Sequence, residues 1–222
     1  MAIDVGYLTK AALEAKATQL LARYASSEKY VLEIPIDLES ILHYLQLRYD
    51  LDDLETMFGF PDTLGALWIE SREIYIDQSL DPDEQPGQLG RFRFTLAHEI
   101  GHWELHRSLF EFRQLQDDLF GISSTPAIVC RSSQAKEPIE RQADAFAAAL
   151  LMPKSEMVIH WQRVIDGRRG IRPGAPRDDL IEVAVRPMAE VFEVSAQAMR
   201  IRLEGLGCGR EVGATASLFG AE

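Results

Sequence analysis

The run "TLAHEIGHWELH", residues 95–106, sets two histidines four residues apart, His98 and His102, with Glu99 directly after the first. It contains no proline. Apolar or small residues recur at four-residue spacing, Leu96 with Ile100 and Ala97 with Gly101 and Leu105. That period belongs to a helix. Residues four apart on a helix share a face, one turn from each other, so His98 and His102 are predicted side by side, able to offer two imidazole nitrogens to one metal ion. Glu99 is rotated from His98 by about 100°. It is therefore read as a carboxylate that reaches a water at the metal, the place of a general base. H-E-x-x-H is a pattern of metal-assisted hydrolysis.

A metal needs at least one more protein ligand, so the fold must bring one in. His106 is nearest in sequence, but it lies about 12 Å from His98 along a straight helix. Bonds of about 2.0–2.1 Å cannot span that distance, and no glycine follows His102 to break the helix. His106 is expected to cap the helix near its end or to support a ligand from outside. The stretch "KEPIERQADAFAAALLMP", residues 136–153, offers more. Pro138 suits a helix start and Pro153 a helix stop. Between them Glu140 and Asp144 share a face, and Ala143, Ala145, Ala147, Ala148 and Ala149 are small enough for close contact with a second helix. Gly101 is the matching small spot on the first. Two helices in such contact would bring Glu140 to the metal as third ligand. Asp144, one turn on, would accept the outer N–H of a ligating histidine and fix its tautomer.

Together "RFTLAHEIGHWELH" and "IERQADAFAAALLMP" resemble the ImmA/IrrE family of bacterial metallopeptidases. The resemblance extends from about Ile36 to Pro153, with "IDLESILHYLQL" upstream and "LGALWIESREIYID" just before the histidine helix. It implies an α+β, zincin-like fold in which a small antiparallel sheet packs on the active-site helices. It also implies one zinc ion held by His98, His102 and Glu140, with Glu99 as catalytic base. Members typically act on a partner repressor or antitoxin that carries a helix-turn-helix and is encoded nearby. Where members often have Ala-Asn in the second motif this chain has Ala143-Asp144, which keeps the hydrogen-bonding role.

Composition narrows the setting. The net charge of −12 is uneven: residues 1–153 carry 13 basic and 25 acidic side chains, and residues 154–222 carry 10 of each. An acidic body repels nucleic-acid backbones and attracts a basic partner, so direct nucleic-acid binding is not expected. The N-terminus lacks a signal-peptide core, and the longest apolar run, "AFAAALLM", is too short to span a bilayer. Cys130 and Cys208 form no disulfide or metal pattern. A cytoplasmic protein without membrane association is expected.

Elsewhere, "TKAALEAKATQLLARYA" and "DLESILHYLQL" read as helices, the second capped by Asp37. "LGALWIES" and "REIYIDQS" read as strands of a hairpin meeting at Ser71-Arg72, and "AIVCR" as a short strand in the loop between the two metal motifs. Cys130 in that strand reads as a small buried residue. His43 and His160 read as packing or surface histidines, with a role for His160 in stabilising the transition state a lesser alternative. Residues 1–160 form the expected peptidase domain. Residues 161–222 form a linker around "DGRRGIRPGAPRDD", a helical hairpin similar to a helix-turn-helix with Ser195 as N-cap, and a mobile tail. The expected function is a zinc-dependent endopeptidase that cleaves a helix-turn-helix repressor or antitoxin and so regulates transcription. The alternative is a non-catalytic regulatory module that binds a repressor or DNA through its C-terminal helices. Structural zinc sites usually close with four protein ligands; the three found here favour catalysis.

Overall fold

A computed structural model describes residues 5–28, 31–118, 128–131, 137–167 and 176–209. Helix α1 spans Lys10–Glu28, α2 Leu38–Leu45 and α3 Leu54–Phe58. The expected cap of α2 is present: Asp37 accepts from Ser40 N–H at 3.0 Å. Asp53 does the same for α3 through Thr56 N–H at 2.8 Å. Each such cap is worth about 1 kcal/mol. The histidine helix α4 runs Leu89–Asp118, entered through a 3₁₀ turn at Pro86–Gln88. Helix α5 is Pro138–Leu151, α6 Lys154–Gly167, α7 Arg177–Phe192 and α8 Ala196–Gly205. As expected, Pro138 opens α5, and the helix ends before Pro153. Ser195 caps α8 through Ala198 N–H at 3.1 Å.

The four strands β1 (Arg48–Asp52), β2 (Thr63–Trp68), β3 (Glu73–Asp77) and β4 (Ile128–Arg131) form one sheet in the order β1-β3-β2-β4. The hairpin is as expected, with Trp68 opposite Glu73 and Arg72 at φ +58° in the turn. The sheet is mixed rather than antiparallel throughout, because β1 runs parallel to β3. "RYDLD" carries charges at alternate positions and is exposed on one face, so its apolar side is too short to announce a strand. Its partner is reached by the connection through α3 and β2 rather than by a tight turn.

One hydrophobic core takes side chains from every helix except the short α3 and from the sheet, among them Leu20, Ile41, Ile76, Phe146, Trp161 and Leu203. The pairing of α4 with α5 is as close as the small residues suggested. A Cβ on Gly101 would lie 3.2 Å from the Ala143 carbonyl and 3.2 Å from the Phe146 ring. The C-terminal helices pack on this body. At Gly90, near the start of α4, a Cβ would meet the Ser195 backbone nitrogen at 2.7 Å, so the α7–α8 turn rests directly on α4. Arg202 of α8 pairs with both Glu14 carboxylate oxygens of α1 (2.7 and 2.6 Å) and donates to the Met152 carbonyl beyond α5. Helix α7 is longer than the sequence suggested: it starts at Arg177, inside the stretch read as linker, and passes through Pro187. Residues 168–175 of that stretch and the tail from residue 210 lie outside the described residues. No described helix is long and apolar enough to cross a membrane.

Candidate metal centre

Helix α4 contributes His98, Glu99, His102 and His106, and α5 contributes Glu140 and Gln142, all of them buried. Six polar side chains between two packed helices carry a large desolvation cost unless they satisfy one another or a bound ion. His98 Nε2 lies 2.9 Å from His102 Nε2 and 3.1 Å from Glu140 Oε2, and His102 Nε2 lies 3.5 Å from Glu140 Oε1. An ion with tetrahedral bonds of about 2.0–2.1 Å has ligand–ligand edges of about 3.3 Å. The three separations bracket that value, and the donor set, two imidazoles and a carboxylate, suits a divalent cation. The group could hold a metal ion.

The outer nitrogens explain why the inner ones converge. His98 Nδ1 lies 2.9 Å from Asp144 Oδ1; a carboxylate there accepts from Nδ1–H and fixes the orientation of the ring. This is the contact expected of Asp144. His102 Nδ1 lies 3.1 Å from His106 Nδ1, and His106 Nε2 lies 3.1 Å from Gln142 Oε1. His106 therefore contacts His102 on the side away from Glu140, the place one of the two sequence readings gave it. It does not cap the helix end, because α4 continues to Asp118.

Glu99 differs from the rest. It is completely buried, and neither carboxylate oxygen has a hydrogen-bond partner among the described residues. Burial pushes its carboxyl up to about 8; His98 pulls against that shift and the Glu140 charge adds to it. Burial also lowers His102 to about 4 and brings His106 down, so both imidazoles are neutral near pH 7. Glu140 moves the other way. Burial opposes its ionisation, but the contacts with His102 and His98 outweigh it and hold the carboxyl at about 2. The group thus sets the anionic Glu140 carboxylate and the neutral His102 imidazole beside His98, with the Glu99 carboxyl next to them.

Two further residues shape the site. On β2, Gly65 faces Glu99: a Cβ there would lie 2.5 Å from Oε1 and 3.1 Å from the Thr95 methyl. Glycine is the residue that lets this strand cross over the carboxylate. Its signal was a lone glycine inside an alternating strand, a mark of close approach. Gln142 sits between two motif residues and has no sequence pattern of its own. His160 does not join the group; its ring meets Phe192 edge-on at 5.2 Å. His43 is exposed on α2. Cys130 falls in β4 as expected, but its side chain lies outside the described residues.

No curated protein matches the chain. A family model does, from residue 48 to residue 204, a span that opens at β1, closes within α8 and contains every residue of the metal-capable group. It starts later and ends later than the resemblance read from the two motifs. The chain belongs to the peptidase M78 family, described by its IrrE N-terminal-like domain.

Proposed function

We propose that the protein is a zinc-dependent endopeptidase in which His98, His102 and Glu140 hold the ion and Glu99 is the catalytic base. The observation that carries this reading is the unpartnered, buried Glu99 carboxylate beside three converging ligand atoms. A buried carboxylate with no partner is costly, and a general base must keep its lone pairs for the proton it takes. Zinc, when bound, would polarise the scissile carbonyl and lower the pKa of water at the site. Glu99 accepts a proton from the attacking water and passes it to the leaving amine. Gly65 leaves the space in which that carboxylate moves between the two. Asp144 and His106 engage the outer nitrogens of His98 and His102.

The substrate we propose is a helix-turn-helix repressor or antitoxin, cleaved to relieve repression. The acidic body, −12 over residues 1–153 by the count of 13 basic and 25 acidic groups, favours such a basic partner. DNA itself is a poor fit: Arg202 is bound to Glu14 and Arg200 to Glu182. Co-expression of wild type or Glu99→Gln with the neighbouring repressor tests both parts. Repressor fragments with wild type and none with the variant are expected. Equal relief of repression by both, without fragments, would reject the peptidase and leave a binding module.

A further inference from the structure

A cleft of about 300 Å³ opens between the start of α2, strand β1, the loop after Leu80 and the first turns of α4. Leu96, in its floor, precedes His98 by two residues, a rotation of about 200° on the helix, so the cleft lies on the side of α4 away from the metal-capable group. The floor is apolar. Leu96 and Phe92 are buried, and Leu51 and Tyr49 close it from β1. The Tyr49 ring meets Phe92 edge-on at 5.8 Å. The mouth is acidic: Glu39, Asp81 and Asp83 line it, and the Tyr49 hydroxyl donates to Glu39 at 3.2 Å. Burial, followed by the charges of Glu39, Asp83 and Asp81, holds that phenol above its ordinary value, so the three carboxylates act on one point. Among the described residues none of the three makes an ion pair. Asp37, also at the mouth, is engaged as the cap of α2. Arg93 in the wall is already matched, by the Ile36 carbonyl at 2.7 Å and Glu193 at 3.3 Å.

Carboxylates alone would be a solvated rim. Over an apolar floor they select a side chain that is apolar along its stem and positive at its tip. The volume is at the small end of ligand clefts, which run from about 300 to 1,000 Å³, so one side chain fits and a helix does not. A guanidinium suits the cleft better than an ammonium, because it is less strongly hydrated and lies well against aromatic rings such as Tyr49 and Phe92. We propose that this cleft is a subsite that takes one arginine side chain of the protein substrate, apart from the metal centre. Phe92 and Glu99 are seven residues apart on α4, about 10 Å along its axis, a distance that a single partner domain covers. The proposal rests on the reading of the substrate as a basic protein, and it gives the acidic charge of the body a definite place to act.

The test reads binding rather than cleavage, on the full chain with backbone nitrogens labelled for NMR. Two capped alanine pentapeptides are titrated at low ionic strength, one with a central arginine and one with a central norleucine. The arginine peptide should shift the amide signals of Leu38, Tyr49, Leu51 and Leu96 before others, and the norleucine peptide should bind at least about threefold more weakly. Glu39 and Asp83 are exposed, so the double variant Glu39→Gln/Asp83→Asn should fold and should weaken the arginine peptide at least about threefold. Equal binding of the two peptides, shifts confined to other regions, or a smaller loss in the double variant would overturn the proposal. Spermidine binding as tightly as the arginine peptide would overturn it too, in favour of a site for small amines. If the double variant fails to fold, the two peptides on wild type decide. An arginine peptide seated here in a protein that cleaves no repressor would support the subsite and reject the peptidase reading; cleavage of a repressor with no arginine seated here would do the reverse.

Discussion

Replacing Glu99 by glutamine should make the metal-free protein more stable while removing its activity. The carboxyl is completely buried without a partner, and its pKa stands at about 8 against an ordinary 4.5. Folded protein therefore holds a proton that unfolded chain gives up between those values. The sign follows: a raised carboxyl contributes its stability below about 4.5 and loses it as pH climbs toward 8. At pH 7 about 2.5 pH units of that window have been crossed, on the order of 3 kcal/mol at 1.36 kcal/mol per unit. Glutamine keeps the shape and carries no charge at any pH. For a chain of this size each kcal/mol moves the melting temperature by roughly 2–4 °C, so Glu99→Gln should melt roughly 6–12 °C above wild type at pH 7. The gap should close as pH falls to 4.5. His102, lowered to about 4, and Glu140, lowered to about 2, destabilise the fold on acidification, but both proteins share them and the difference isolates Glu99. The assay is thermal unfolding by circular dichroism after chelation, at pH 5, 6, 7 and 8. Equal melting temperatures at pH 7, or a variant that is the less stable, would show that the carboxyl meets a partner and is not held bare for catalysis.

Gly65→Ala places a methyl 2.5 Å from Glu99 Oε1; peptidase activity should fall by at least about 10²-fold, since the base is worth roughly 10²–10⁴-fold, while metal content by elemental analysis stays at wild-type level. His102→Ala or Glu140→Ala should lose tight metal binding, and full metal in the His102→Ala protein by the same analysis would reject the site. Arg202→Met removes the donors that hold Glu14 and the Met152 carbonyl; because the pair is mostly buried, a loss of about 2–3 kcal/mol is expected in urea unfolding, with Glu14→Gln a milder change.

The metal-capable group was legible because its geometry is local. His98 and His102 are fixed relative to each other by one helical turn, and Glu140 and Asp144 by another. What joins the two helices was legible only through size, in Gly101 and the alanines around Ala143. The Asp37 and Ser195 caps were readable for the same local reason. Strand β1 was not, since "RYDLD" buries little and its parallel partner lies beyond an intervening strand. Nor was the reach of α4: His106 is expected near a helix end, yet no proline or glycine follows it closely and the helix runs on to Asp118. Gln142 and Gly65 carry information only in contact with other elements. Gln142 matters because of a carbonyl 136 positions away, and Gly65 because β2 happens to cross Glu99.

The C-terminal helices bear on the site even though none of their residues reaches it. For the group to hold an ion, α4 must keep its two histidines against α5 to within a few tenths of an ångström, because ligand edges of about 3.3 Å tolerate no slip along the helix axis. Gly101 fixes the crossing point in the middle. The N-terminal end of α4 is held by the α7–α8 turn at Gly90 and by Arg93, which reaches the Ile36 carbonyl at 2.7 Å and Glu193 at 3.3 Å. Just beyond the C-terminal end of α5, Arg202 holds the Met152 carbonyl and ties it to α1. Helix α1 in turn follows the segment whose Gly6 carbonyl accepts from Gln142 at 2.8 Å. A displacement of α8 would therefore reach the metal centre by two routes, through the register of α4 on α5 and through the placement of the N-terminal segment. Arg202 and the α7–α8 turn thus both help to hold together the two helices that carry the metal-capable group.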